Sequence, residues 1–266
     1  MTPGDGKALL SKVPQATLVF WLVKICATTV GETGGDAMSM SLKLGYAVST
    51  LISLAFFVAA LAAQLMARRY HAWIYWLVVV ATTTVGTTTS DFLDRTAGLG
   101  YVKSTAVELA AVIGMLIVWR FVTGKIAVDH ITDRRNETFY WVTILISNTL
   151  GTALGDFTAD DELGGLGLGF ETGALIFVGL LALVVAARFF TRIAPAVLFW
   201  AAYVLTRPLG ATLGDTITKP VAQGGLNLDR FAATAAIAGA MVLILVASHW
   251  LSLRRPPAPS PPSATG

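Results

Sequence analysis

Four aspartates recur at a fixed distance after four tryptophans, and carboxylates at such repeated positions could bind a cation. In each copy a glycine follows the tryptophan after ten residues and an aspartate follows it after fifteen, so the pattern W-x9-G-x4-D holds four times. The aspartates are Asp36, Asp91, Asp156 and Asp215. Carboxylates brought together at low dielectric repel one another, and a bound cation or added protons must relieve that repulsion.

Other oxygen donors lie in the same stretches of sequence. In the first copy, GETGGD, Glu32 stands one turn before Asp36, and Glu108 lies one turn inside the helix expected after the second copy. Carboxylate, hydroxyl and carbonyl oxygens suit hard cations such as Mn²⁺, Mg²⁺ or Ca²⁺. Zinc and copper are disfavoured, because Cys26 and the histidines (His71, His130 and His249) are expected far from these turns. The competing interpretation is that the aspartates only cap turns at the outer membrane boundary.

A polar layer is predicted about two turns below the aspartates. Seven residues after each tryptophan the sequence has Thr28, Thr83, Asn148 and Arg207. Lys24 lies in the same apolar run as Thr28, and ionisable groups inside such runs are costly and usually functional. Lys24, Asn148 and Arg207 are therefore candidates for a cation pathway or its charge partners. In the alternative, Lys24 and Arg207 pair with buried acids and only hold helices together.

The repeated glycines and tryptophans favour close packing of helices. Each glycine begins a small-x3-small pattern, which lets membrane helices approach one another closely. The glycines are Gly31, Gly86, Gly151 and Gly210, and the tryptophans are Trp21, Trp76, Trp141 and Trp200. The tryptophans are expected near the cytoplasmic helix ends, where aromatic residues are common, and favour one packing contact copied four times. The alternative is a cage that binds an organic cation through its aromatic faces.

The elements that position these residues are predicted to be membrane helices. Only 13% of the 266 residues are charged, about half the share of a soluble domain. Apolar windows of roughly 20 residues, enough to cross the hydrocarbon core, occur eight times. They cover about 14–34, 45–67, 72–90, 104–123, 138–155, 165–187, 194–214 and 231–251. The predicted fold class is an all-α polytopic membrane protein with eight transmembrane helices.

The eight helices are expected as four tandem two-helix repeats of one hairpin. Because each repeat contains two spans, all four repeats run through the membrane in the same direction. Four parallel copies indicate either a pseudo-fourfold ring or a pair of pairs. The expected segments are a cytoplasmic stretch 1–12, repeats 13–69, 70–134 (with a cytoplasmic linker), 135–192 and 193–252, and a disordered Pro-rich tail 253–266.

Basic residues predict the orientation. Most of them fall on one side of the predicted spans: Lys7, Lys12, Arg68, Arg69, Arg120, Lys125, Arg134, Arg135, Arg188, Arg192, Arg254 and Arg255. Both termini are therefore expected in the cytoplasm, with the chain in the cytoplasmic (inner) membrane. The bilayer is the expected partner and a homo-oligomer is left open. The net charge of +3 indicates no nucleic-acid partner, because the basic residues serve as loop anchors.

The motifs W-x9-G-x4-D, GETGGD and TRPLGATLGD resemble those of a bacterial family of uncharacterised membrane-anchored proteins. That family is built from four tandem two-helix repeats of unknown function, each with a characteristic tryptophan. The resemblance covers residues 12 to about 252 and implies the architecture, with no established activity. ETGGD at 32–36 also resembles, more loosely, the E-x-G-D signature of manganese and calcium cation/proton exchangers, although the spacing differs by one residue and the repeats here are parallel.

The sequence thus predicts a transporter, most plausibly an exporter, of a hard divalent cation such as Mn²⁺, with proton coupling as an option. The four aspartates form the ion-binding ring, Glu32 and Glu108 add charge or carry a proton, and Arg207 limits occupancy. Two alternatives are an exporter of small organic cations and a non-transporting scaffold or stress protein. An enzyme is not expected, because the sequence has no credible catalytic triad, phosphate loop or H-E-x-x-H motif. No cofactor is required.

Overall fold

Eight long helices make up the computed structural model, which describes residues 12–67, 69–126, 131 and 133–253, and this part of the chain contains no strand. The predicted segment 1–12, apart from Lys12, and the predicted tail from residue 254 lie outside the described residues, as do Lys7, Arg68, His130, Arg254 and Arg255. The helices are α1 (Leu18–Asp36), α2 (Gly45–Met66), α3 (Ala72–Asp91), α4 (Gly100–Thr123), α5 (Arg134–Ala159), α6 (Phe170–Phe190), α7 (Pro195–Thr218) and α8 (Arg230–Leu253).

Local sequence signals explain several helix ends. Thr17 caps α1 by accepting a hydrogen bond from the Phe20 N–H, and Asp133 caps α5 in the same way from the Asn136 N–H, which satisfies a free helical donor. Gly124 ends α4 in the left-handed conformation that glycine adopts easily. In the first two repeats a π-helical turn follows the aspartate directly, at Ala37–Ser41 and Phe92–Thr96.

The odd-numbered helices form a closed ring of four at the centre of the molecule. Helix α1 packs against α3, α3 against α5, α5 against α7, and α7 back against α1. Of the two arrangements that the sequence left open, the structure therefore has the pseudo-fourfold ring. Equivalent residues of the four repeats consequently face a shared axis.

The even-numbered helices surround this ring, and each packs mainly against the repeat that follows its own. Helix α2 lies on α3, α4 on α5, α6 on α7, and α8 closes the circle on α1. Their outward faces are apolar and exposed, as at Leu51, Ile113, Leu183 and Leu243. The apolar exterior and the polar interior at the axis are the arrangement of a membrane protein.

The repeated glycines are the points where the inner helices touch. A Cβ added at Gly31, Gly86 or Gly210 would lie 2.9 Å from a backbone carbon of the neighbouring helix, and one at Gly151 would collide with a side chain. The residues met are, in the same order, Thr83, Asn148, Thr28 and Arg207. The glycine of each repeat therefore packs on the predicted polar layer of the next.

Aromatic contacts close the ring at the opposite end from the aspartates. The residue before each tryptophan packs against the tryptophan of the next repeat, with ring centroids 5.4 to 6.0 Å apart. The pairs are Phe20–Trp76, Tyr75–Trp141, Tyr140–Trp200 and Phe199–Trp21. One packing contact is thus copied four times around the ring.

Several of the helices are long and apolar enough to cross a membrane. Five meet a strict test of length and hydropathy, namely α2, α4, α6, α7 and α8. The other three, α1, α3 and α5, belong to the inner ring, where their polar residues are buried against one another. The chain therefore has the character of a multi-pass membrane protein.

Candidate functional site

Three buried carboxylates converge at the end of the ring where α1 and α7 meet. Glu32, Asp36 and Asp215 are 3%, 1% and 2% exposed, and each offers an oxygen within 4.8 Å of the other two. Gly214 allows this approach because it has no side chain: a Cβ at that position would crowd the Glu32 side chain at 3.0 Å. We call these three residues the carboxylate triad. Its members come from the first and the last repeat of the chain.

Two basic side chains face the triad. Lys219 Nζ lies 3.5 Å from Asp36 Oδ2 and 3.5 Å from Asp215 Oδ1, and Arg230 Nε lies 3.7 Å from Asp36 Oδ2. These two carboxylate oxygens are buried and accept no hydrogen bond from the described residues. Burial by itself would lower the pKa of Lys219, but the charges of Asp215 and Asp36 outweigh it and raise that pKa well above its usual value. Lys219 is therefore a charged ammonium held loosely between two acids.

Asp91 belongs to a separate ion-pair network. Arg95, one turn later, lies 3.4 Å from Asp91 Oδ1 and also 3.4 Å from Asp160 Oδ2, and it donates to the Tyr101 hydroxyl at 2.7 Å. Asp160, at the end of α5, has a lowered pKa: partial burial opposes this, but hydrogen bonds from the Glu162 N–H and the Tyr101 hydroxyl, with Arg95 nearby, outweigh it. This network ties the second repeat to the third.

The four ring aspartates lie at one end of the bundle but do not share one set of partners. Asp156 interacts electrostatically with Asp91 and Glu32, and Asp91 with Asp36. Among the described residues only the triad meets the distances of a shared cation site. The structure thus brings Asp36 and Asp215 together with Glu32, and places Asp91 and Asp156 near them as further buried acidic side chains.

Arg207 lies across the centre of the ring, directly below the triad. Its side chain is completely buried, and Nη2 lies 2.8 Å from Glu32 Oε2 and 2.5 Å from the hydroxyls of Thr87 and Thr152. These three partners come from the three other repeats. Nε and Nη1 have no hydrogen-bond partner among the described residues. Arg207 thus closes the axis and shares Glu32 with the triad.

Lys24 lies one layer further along the axis. It donates to Asn148 Oδ1 at 3.4 Å and its ammonium lies 4.2 Å from the centre of the Tyr203 ring. Asn148 in turn donates to the Thr82 hydroxyl at 3.0 Å. Because α1 and α5 are opposite each other in the ring, the Lys24–Asn148 contact crosses the axis. Two buried basic residues therefore lie on the axis, Arg207 within the predicted polar layer and Lys24 next to it.

Glu108 is not part of the triad. It lies on α4, 4% exposed, with both carboxylate oxygens lacking a hydrogen-bond partner among the described residues. Its electrostatic neighbour is Asp94, which accepts hydrogen bonds from Ser90 and Ser104. This second acidic pair belongs to the second repeat alone, since the first repeat has Ser39 and Ser53 at the equivalent positions.

The remaining predicted residues lie away from the carboxylates. Trp76, Trp141 and Trp200 are 3%, 0% and 8% exposed within the aromatic contacts described above, and Trp21 is half-buried. Gly31, Gly86, Gly151 and Gly210 line the helix contacts below the aspartates. His71 and His249 lie at the aromatic end, so no imidazole joins the carboxylates among the described residues.

Three basic residues beside the acids, Lys219, Arg95 and Arg230, are not among the residues predicted for the site. A signal was available, because Arg95 and Lys219 each stand four residues after a ring aspartate, the spacing of neighbours on one helix face. Arg230 gave no such signal, since its contact with Asp36 arises only when α8 closes on α1.

Comparison with known proteins agrees with the repeat structure. Residues 19–70, 74–125, 139–194 and 198–253 match the family described as Repeat of Unknown Function (DUF347). These four segments cover most of the chain, and each contains one inner and one outer helix. No curated protein and no solved structure matches the chain.

Proposed function

The chain belongs to the family of this four-copy repeat, and from its geometry we propose that it transports a hard divalent cation across the cytoplasmic membrane. In this proposal all eight helices span the bilayer, with both termini in the cytoplasm. The excess of basic residues at the aromatic end supports that orientation. Export is the proposed direction, and Mn²⁺ is the leading substrate, with Mg²⁺ and Ca²⁺ as the other candidates.

The observation that carries the proposal is the carboxylate triad. Three buried acids within 4.8 Å of one another repel strongly unless positive charge lies among them. Lys219 and Arg230 supply part of that charge at 3.5 to 3.7 Å, too far for close hydrogen bonds. An oxygen-only site of this kind suits a hard divalent ion. Asp91 and Asp156 add negative potential that attracts cations to this end.

The same residues suggest how binding leads to movement. A cation bound by the triad neutralises Asp36 and Asp215, which otherwise attract Lys219, and it also binds Glu32, the partner of Arg207. The bound cation therefore weakens the attraction between Arg207 and Glu32 and repels the guanidinium from the axis that Arg207 closes. Binding at the triad is in this way coupled to opening of the polar layer below. Glu32 and Glu108 remain the candidates for a counter-transported proton.

Cation binding to the purified protein tests the proposal. We expect saturable binding of Mn²⁺, measured by isothermal titration calorimetry with Mg²⁺, Ca²⁺ and Zn²⁺ as comparisons. Asp215→Asn should weaken binding by about 100-fold, because a ligand of the ion is lost, a change of about 2.7 kcal/mol. Asp91→Asn is the matched control: it removes an equivalent ring aspartate outside the triad and should weaken binding less than tenfold.

Lys219→Met gives a change of opposite sign. Removing the ammonium that competes for Asp36 and Asp215 should tighten Mn²⁺ binding by about tenfold. Absence of metal binding in the wild type and in Lys219→Met would reject the cation proposal. Equal losses in Asp215→Asn and Asp91→Asn would instead replace the triad with the whole aspartate ring as the binding site.

The structure offers less support for the alternative of organic-cation export. An aromatic cage needs open ring faces, whereas Trp76, Trp141 and Trp200 pack against aromatic residues of neighbouring repeats. Under the scaffold alternative, the aspartates serve only stability. Asp215→Asn would then change the unfolding temperature without any effect on cation binding.

A further inference from the structure

A groove of about 900 Å³ opens on the outer surface at the aromatic end, between the start of α1, the start of α3 and the end of α8. Its floor is apolar and includes Phe20, Val23, Trp76 and Leu245. Its volume lies within the range of small-molecule and lipid-sized sites. Cation binding at the carboxylate triad makes no use of this groove, so the two sites can be tested independently of each other.

The groove exists because one side chain that fills the equivalent space elsewhere is missing here. When Tyr101 at the start of α4 is aligned with Arg230 at the start of α8, Trp119 aligns with Ser248. Trp119 is completely buried and fills its seam by stacking on Phe139 and meeting the edge of Trp200.

The residues that line the groove, where α8, α1 and α3 meet, correspond to those around Trp119, where α4, α5 and α7 meet. Val19 aligns with Phe139 and Trp76 with Trp200, and both line the groove together with Ser248. A large indole and a phenyl ring are thus replaced by a hydroxymethyl and an isopropyl group. The lost side-chain volume explains why one seam of a fourfold ring is open while another is tightly packed.

The mouth of the groove is surrounded by exposed apolar and aromatic side chains. Trp73 and Trp250, which line it, are each 58% exposed, Leu251 is 65% exposed and the neighbouring Leu18 is 76% exposed. Exposed tryptophans beside aliphatic side chains are typical of the level where acyl chains meet headgroups. In the membrane topology proposed above, the groove therefore opens sideways into the bilayer near its cytoplasmic face.

Polar side chains among the residues that line the groove favour a phosphate. They belong to Gln15, Thr17, Tyr70, His71, Ser248 and His249, and none of the residues that line the groove is acidic. Hydrogen-bond donors without an acid beside them suit a headgroup phosphate, and the apolar lining residues suit an acyl chain. The lining as a whole therefore matches a phospholipid.

From this arrangement we propose that the groove is a binding site for one membrane phospholipid. The acyl chain occupies the space that Trp119 fills at the equivalent seam, and the headgroup phosphate lies beside His71 and Gln15. A bound lipid completes the surface of the ring where the side chains leave it open.

Lipid retained by the full-length protein tests this site. Protein purified in mild detergent should keep about one phospholipid per chain, a single-site stoichiometry, seen by native mass spectrometry and by lipid extraction. Ser248→Trp should reduce the retained lipid to near zero, because the indole fills the groove as Trp119 does at the other seam. Ser248→Ala, which adds no volume, should retain lipid as the wild type does.

A second variant keeps the test decisive if Ser248→Trp does not fold. Val19→Phe introduces the counterpart of Phe139 and should also lower lipid retention. Wild-type protein without retained phospholipid, or equal retention in all variants, would overturn the proposal. If lipid is taken up only after residues 254–266 are removed, the groove belongs to the chain's own tail. If the protein is a dimer that Ser248→Trp dissociates, the groove belongs to a second copy. Either result would also overturn the lipid proposal.

Discussion

The two ends of the inner ring share one backbone arrangement, but they differ in whether their side-chain contacts recur in all four repeats. At the aromatic end, the same ring contact between a residue and the tryptophan of the next repeat occurs four times. At the carboxylate end, an aspartate occurs in every repeat, yet its basic partner is not copied four times. Lys219 lies between Asp36 and Asp215, whereas Arg95 pairs with Asp91. Packing keeps the fourfold pattern, and the candidate site lies where that pattern is broken.

The difference indicates which residues shape the fold and which shape the chemistry. A contact that recurs four times joins neighbouring inner helices in the same way each time, and it requires no residue that is particular to one repeat. Glu32 and Arg207, in contrast, each occur in a single repeat, and they meet at the axis. Variants at the two ends should therefore have separable effects on stability and on cation binding.

The largest expected effect comes from breaking the buried pair at the axis. Glu32→Gln leaves the completely buried Arg207 without its acid and should destabilise the protein by about 3–5 kcal/mol. Thermal unfolding in detergent, followed by circular dichroism, measures the loss. The double variant Glu32→Met with Arg207→Met should recover part of it, since no unpaired charge remains. Full stability of the Glu32→Gln variant would contradict the role of this pair.

A smaller effect is expected where the inner helices touch. Gly86→Ala places a Cβ 2.9 Å from the backbone of Asn148 and should cost about 1–3 kcal/mol through overpacking. The same unfolding assay applies. Gly114→Ala on α4 is the control, because a Cβ there has no neighbour within 4 Å and should leave stability unchanged or slightly raised. Equal effects of the two substitutions would argue against close packing at the repeated glycines.

The smallest effect sharpens the comparison between the ends. Tyr75→Phe removes the 2.8 Å hydrogen bond between the Tyr75 and Tyr140 hydroxyls and should cost about 1 kcal/mol. Because this bond lies at the aromatic end, affinity for Mn²⁺ should stay unchanged. Chemical denaturation and calorimetry on the same preparation measure both quantities. A change in metal affinity would show that the two ends are coupled.

Much of the fold could be predicted because it repeats along the chain. The periodic W-x9-G-x4-D pattern and the apolar windows predicted helices and four copies, and the chain belongs to a four-repeat family. The closed ring could not be chosen over a pair of pairs, since both satisfy the same periodicity. The choice depends on contacts such as that of Gly210 with Thr28, which join the two ends of the sequence.

The candidate site was predictable only in part, for a related reason. Glu32 and the aspartates could be named from residue type and position. That Glu32, Asp36 and Asp215 meet, while Glu108 lies beside Asp94, depends on which helices become neighbours. Lys219 lies just beyond the end of α7, and its spacing of four residues from Asp215 indicates that pair but gives no sign of the second contact, with Asp36.

The circular arrangement of the outer helices has a consequence for how the protein is made. The two helices of a repeat make few contacts with each other, whereas each outer helix covers the inner helix of the next repeat, and α8 covers α1. Helix α1 therefore stays partly uncovered until α8 has been made. Contacts between segments far apart in a sequence are slow to form. The outer layer can therefore close only after α8 has been made, and a chain without α8 leaves this face of α1 uncovered.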